Sequence, residues 1–134
     1  MSAANIFFDT NVLLYPVSGD SAKANRSEEL LVSGGVISIQ VLNEFASVAI
    51  RRYGVEIAKV REVLLVIRTL CAVKPIDVET HELGLELAER YRYSIYDSMI
   101  IAAALRAGCT TLFSEDLQDG QKIQTLTIRN PFVE

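Results

Sequence analysis

Four acidic residues spread along the chain, Asp9, Glu44, Asp97 and Asp116, have the type and placement to do chemistry together. Asp9 closes the apolar run Ile6-Phe7-Phe8, and Asp116 follows Thr111-Leu112-Phe113. Glu44 lies six residues after the strand-like Val36-Ile37-Ser38, and Asp97 falls just inside a helix that opens near Ser94. In a parallel α/β sheet the strand ends and the starts of the following helices share one edge, so these acids are predicted to meet there. Crowded carboxylates repel one another, and a hard divalent cation is the usual remedy. The pattern therefore predicts a metal-dependent enzyme.

Each acid also has a plain structural use. Asp9-Thr10-Asn11 and Ser114-Glu115-Asp116 are good helix-cap and turn residues, and Glu44 and Asp97 lie near helix starts, where the macrodipole favours negative charge. Four such uses at corresponding edges of successive units point to one shared purpose. The charge balance agrees: 17 acidic against 13 basic side chains give a net charge of -4, and setting these four acids aside leaves 13 against 13. With no cationic excess, a phosphate-bearing substrate would have to be drawn by bound metal or by local Arg and Lys.

The elements that must position the acids are legible as short apolar runs alternating with helical spacing. Strands are expected over Asn5 to Phe8, Val36 to Ser38, Cys71 to Lys74, Thr111 to Phe113 and Thr125 to Ile128. The runs do not alternate in polarity, as expected when both sheet faces are covered. Helices are expected near Val12 to Tyr15 and over Ser21 to Ser33, Gln40 to Tyr53, Val55 to Leu70, Val78 to Tyr93 and Ile95 to Ala107, with Gly34, Gly54 and Gly108 as stops. Such alternation predicts a three-layer α/β/α fold with a mostly parallel central sheet. The last of these helices, apolar almost all round, is expected at its centre, which makes Asp97 costly there unless it is paired, protonated or metal-bound.

At 134 residues with no internal repeat or linker, one domain spanning 1–134 is the simplest organisation. Half of the residues are hydrophobic, which excludes a disordered chain, and no apolar stretch reaches transmembrane length. Met-Ser-Ala-Ala-Asn lacks the basic start and apolar core of an export signal, and Cys71 and Cys109 read as buried free thiols of a cytoplasmic protein.

Asp9-Thr10-Asn11 after an apolar strand, Glu44 early in the second major helix, Tyr96-Asp97 opening an Ala-rich helix and Ser114-Glu115-Asp116 after a late strand together resemble the PIN domain. The run Leu112 to Gly120 and the terminal Asn130-Pro131-Phe132 are similar to those of a bacterial VapC-type toxin subgroup. The resemblance implies a Mg²⁺- or Mn²⁺-dependent endoribonuclease, kept in check by a cognate antitoxin protein and forming a homodimer. One departure is Ser114, where many relatives carry Thr; the hydroxyl is kept. Asp9, Asp97 and Asp116 are the preferred metal ligands, with Glu44 as a ligand or as the orienter of a water. Thr10, Asn11 and Ser114 would position waters, acids or phosphate, and Asp119 is a further acid, either a fifth ligand or a support behind the others. No side-chain nucleophile is needed, because divalent ions can supply an activated water and steady the leaving oxygen.

Two other readings remain at this stage: a metal-dependent phosphatase or phosphotransfer enzyme, and a non-catalytic RNA-binding or protein-interaction module. Weaker signals point elsewhere without support. His81, the sole histidine, cannot build a zinc cluster, and Gly34-Gly35 has no G-K-[ST] after it. Arg51-Arg52, Lys59, Arg61 and Arg68 read as a solvated helix face or as RNA contacts.

Overall fold

A computed structural model describes residues 2–133. A six-stranded sheet is built from β1 (Ile6–Phe8), β2 (Gly35–Ser38), β3 (Cys71–Lys74), β4 (Thr111–Phe113), β5 (Lys122–Ile123) and β6 (Leu126–Arg129), in the order β3-β2-β1-β4-β6-β5. Every pairing is parallel except that of β5 with β6. Six α-helices accompany it: α1 (Thr10–Ser18), α2 (Ser21–Ser33), α3 (Ile39–Tyr53), α4 (Ile57–Leu70), α5 (Val78–Tyr91) and α6 (Ile95–Arg106). The fold is the α/β architecture with a mostly parallel sheet that the alternating pattern predicts.

The order of strands decides where the acids go. The chain steps outward from β1 to β2 to β3 and then returns past β1 to β4, so right-handed crossovers put α1 to α4 on one face and α5 and α6 on the other. Helices α1 to α4 accordingly pack among themselves, and α5 packs on α6. The reversal of direction falls between β1 and β4, the place where an open α/β sheet leaves a crevice at the strands' carboxyl ends. Phe8 pairs with Phe113 across it, their rings stacked at 6.1 Å, so the next residues of both strands, Asp9 and Ser114, emerge side by side.

Two local features hold this centre. α6 buries Ser98 through Ala104 continuously, and its small Ala102-Ala103-Ala104 run lets it lie against β2 and β4. Gly35 is required at the start of β2, because a Cβ there would stand 2.4 Å from Cε2 of the fully buried Phe8 ring.

Several boundaries differ from expectation. Asn5 closes a 3₁₀ turn (Ala3–Asn5) instead of opening β1, and β6 is displaced to Leu126–Arg129. The β5–β6 hairpin, turning at Gln124 with φ 54°, has no counterpart in the sequence pattern because two residues are too few to show a period. α1 runs on through Pro16, which has no N–H to give the carbonyl of Val12 four residues earlier. The Ser27 hydroxyl from α2 donates to that carbonyl at 2.5 Å, and Ser27 is wholly buried. Ser27→Ala orphans a buried acceptor, so urea unfolding should show a loss of about 1–3 kcal/mol; a stability equal to the parent's would mean that the Val12 carbonyl has another partner.

Candidate active site

Asp9 is the anchor of the carboxyl edge. It caps α1, its Oδ1 accepting from the Thr10 amide at 2.7 Å, while Oδ2 accepts from Ser114 Oγ at 2.8 Å. Ser114 is fully buried and serves four partners, since its hydroxyl oxygen also accepts from the amides of Asp116 at 3.2 Å and Leu117 at 3.3 Å and from Asn11 Nδ2 at 3.3 Å. One hydroxyl therefore fixes both the Asp9 carboxyl and the turn that carries Asp116. Asn11 Nδ2 lies 3.2 Å from both Asp9 Oδ2 and Asp116 Oδ2, and its Oδ1 accepts from the Glu115 amide at 3.1 Å. The side-chain amide spans the two strand ends and holds their acids at a set spacing.

Glu44 comes in from α3, which starts directly after β2 with Ser38 as its cap. Its two oxygens are separately held: Oε2 accepts from Thr10 Oγ1 at 2.9 Å and Oε1 from Gln40 Nε2 at 2.8 Å. Gln40 also donates to the Tyr96 carbonyl at 3.1 Å, tying the first turn of α3 to that of α6. Asp97 sits in that turn, where Ser94 Oγ accepts from its amide at 3.1 Å. Among the described residues no side chain donates to the Asp97 carboxylate, which leaves it the freest of the four.

All four acids line one cleft of ≈ 460 Å³, together with Thr10, Asn11, Leu14, Tyr15, Val48, Arg52, Tyr53 and Glu115. Larger hollows lie along α3 and α4 and in front of Tyr96 and Arg51, each lined by a single acid, Glu62 and Glu44 respectively. Burial, opposed by the Ser114 and Thr10 hydrogen bonds and reinforced by the nearby charges of Asp97 and Glu44, pushes the Asp9 carboxyl up to about 6. An acid raised this far by burial and like charge has an environment that a bound cation would relieve, and such shifts gather at functional sites.

Two acids behave otherwise. Glu115, not singled out by the sequence pattern, lines the cleft but is already neutralised: Tyr15 Oη donates to its Oε1, and Lys23 Nζ lies 2.5 Å from its Oε2. Burial raises the Glu115 carboxyl, and the Lys23 and Tyr15 bonds more than reverse this and hold it below the usual range. Lys23 in turn sits over the rings of Tyr15 and Phe132 at 4.9 and 5.5 Å. Asp119 stands outside the cleft; its Oδ1 accepts from the Asn130 amide at 2.9 Å, bracing the loop against the end of β6. His81 is exposed on α5.

The donor set fits a hard divalent ion in kind, being carboxylate, hydroxyl and amide oxygen around one buried, proton-attracting acid. As they stand, no three Asp, Glu, His or Cys side chains among the described residues come together closely enough to hold a metal ion. Mg²⁺ suits this looser arrangement, since it keeps several of its waters and takes only one or two carboxylates directly.

The sequence model of the PIN domain family matches residues 6–118. The chain belongs to the PIN domain family. Its PIN fold superposes on the sarcin–ricin loop cleaving toxin VapC20 of Mycobacterium tuberculosis with a TM-score of 0.66 at 21% identity, covering 83% of this chain and 89% of that one. A toxin–antitoxin complex from Klebsiella pneumoniae gives 0.72 at 18% identity, covering 95% and 98%. VapBC2 from Rickettsia felis, bound to a DNA fragment from its promoter, gives 0.67 at 18% identity, covering 93% and 97%. At such identities the likeness is one of fold. No curated protein sequence matches the chain. Among the described residues of this PIN domain, no helix is long and apolar enough to cross a membrane.

Proposed function

We propose that this PIN domain is an endoribonuclease, the toxin of a toxin–antitoxin pair, and that Asp9, Glu44, Asp97 and Asp116 form its Mg²⁺- or Mn²⁺-dependent site. The observation that carries the proposal is the convergence of these acids around Asp9, whose carboxyl is raised chiefly by burial and further by the charges of Asp97 and Glu44. The antitoxin partner is supported by the toxin–antitoxin assemblies that share the fold.

A divalent ion at this site would supply Lewis acidity and an activated water. The chain itself supplies position. Ser114 and the Thr10 amide fix the Asp9 carboxyl, Asn11 spaces Asp9 from Asp116, and Thr10 with Gln40 turns the Glu44 carboxylate into the cleft. Each anchor is itself held by backbone or by a second side chain, which is what a preorganised site needs. The freely held Asp97 completes the acidic wall from the opposite helical layer.

RNA incubated with purified protein and Mg²⁺ or Mn²⁺ should end in 5′-phosphate and 3′-hydroxyl groups, because water attacks in place of the ribose 2′-hydroxyl. End-specific sequencing checks this. Cyclic phosphate ends, or release of inorganic phosphate from small phosphoesters with intact RNA, would refute the assignment.

A further inference from the structure

The acidic cleft poses a problem for its own substrate. Five carboxylates line it, those of Asp9, Glu44, Asp97, Glu115 and Asp116, and an RNA strand is a polyanion. Arg52 is the one cationic side chain among the described residues that line it. It lies on the same stripe of α3 as Glu44 and Val48, eight residues or about 12 Å along the axis from the acid. An arginine in a helix's last turn is ordinarily explained by the macrodipole. Here two observations go further. Arg52 is exposed and, among the described residues, takes no carboxylate partner despite five acids in its cleft, and its guanidinium rests over the Tyr53 ring at 5.5 Å, a contact that orients the group and does not use its N–H donors. Its neighbour Arg51 is placed differently, donating from Nε to Ser47 Oγ at 3.0 Å and facing the adjoining groove beside Tyr96.

We infer that Arg52 is a substrate-positioning residue: its guanidinium binds a backbone phosphate of single-stranded RNA next to the phosphate held at the acids. The Glu44–Val48–Arg52 stripe then sets the path of the strand, with an acidic cutting end and a basic holding end. This rests on the reading of the cleft as a ribonuclease site. A planar guanidinium suits the task better than an ammonium, because it offers paired N–H donors to phosphate oxygens.

The test uses Arg52→Gln, Arg52→Lys and Arg51→Gln, with Arg90→Gln on α5 as a control, each checked for a parental thermal midpoint. Binding of a ten-nucleotide single-stranded RNA is followed by fluorescence anisotropy in EDTA over a range of salt, and cleavage of the same RNA is followed in Mn²⁺. Arg52→Gln should raise KM and weaken EDTA binding by about tenfold with kcat kept within about twofold, the split expected when uniform binding is lost. Its salt dependence should become shallower by about one ion, with partial recovery in Arg52→Lys. If the parent cleaves and Arg52→Gln matches it in KM and salt dependence, Arg52 has no such role and the nuclease reading stands. A loss seen in Arg51→Gln instead, or one confined to kcat, overturns the inference equally. If the parent binds RNA through Arg52 yet cleaves none with any metal, the phosphate contact stands but the substrate-positioning role falls with the nuclease reading; a parent that neither binds nor cleaves refutes both.

Discussion

Asp97→Asn should cleave RNA at least about a hundredfold more slowly than the parent while remaining folded, since a misplaced reacting group commonly has an effect of that size. This substitution isolates ligand charge better than its counterpart at Asp9. No side chain among the described residues donates to the Asp97 carboxylate, so an amide there breaks no hydrogen bond, and Ser94 still caps the helix through the backbone. At Asp9 both oxygens accept, one from the Thr10 amide and one from Ser114, so an Asn must set its NH₂ against a donor. Asp9→Asn should therefore lose activity and some stability together, whereas His81→Ala, altering an exposed residue outside the cleft, should cleave like the parent. Equal rates for Asp97→Asn and the parent, in preparations free of contaminating nuclease, would remove the acids from the mechanism.

In the presence of chelator, the protein should become less stable as pH rises from about 4 to about 6. The folded state holds the Asp9 proton more tightly than the unfolded chain does, because the carboxyl is pushed up to about 6 from an ordinary 3.8. Folding is thus favoured by Asp9 protonation at low pH, and the penalty for ionising it is complete above the folded value. A shift of this size corresponds to roughly 3 kcal/mol at neutral pH for a group so deeply buried. Mn²⁺ should abolish the trend by favouring the charged form, raising the thermal midpoint most at pH 7 and least near pH 4.5. Asp97→Asn should blunt the metal shift but lessen the pH dependence only slightly, since burial is the main cause of the Asp9 shift and the Asp97 charge a minor one. Thermal scans at several pH values, with EDTA and with Mn²⁺, decide the matter; a midpoint indifferent to metal at pH 7 would refute the metal site.

What the sequence disclosed and what it hid divide along a physical line. Asp9, Glu44, Asp97 and Asp116 could be picked out because residue type and position at a strand end or helix start are local properties, and a parallel sheet gathers such positions without further instruction. The partners that hold them are set by contacts across long stretches of chain. Gln40 matters through the carbonyl of Tyr96, and Glu115 is silenced by Tyr15 and Lys23 from α1 and α2. Nothing in Ser114-Glu115-Asp116 distinguishes the acid that is ion-paired from the one that takes no cationic partner among the described residues. Asp119 shows the same limit: its composition fits a ligand, and its place is decided by the Asn130 amide. Pro16 reads locally as the end of a helix, and only the hydroxyl of Ser27 makes its position in α1 tolerable. For the β5–β6 hairpin, brevity alone kept it out of view.

The bond from Ser114 to Asp9 joins residues 105 positions apart, and β1 finds its β4 neighbour only when Thr111–Phe113 has been made. Synthesis proceeds from the N-terminus at about 5–20 residues per second, so Asp9 waits several seconds for the hydroxyl that fixes it. Until then Asn11 has no Asp116 to reach, and the first strand lacks the parallel neighbour that carries the other half of the cleft. A growing chain still attached to its ribosome holds half a blade. The two halves of the acidic wall become one only after residues 111–116 have joined β1.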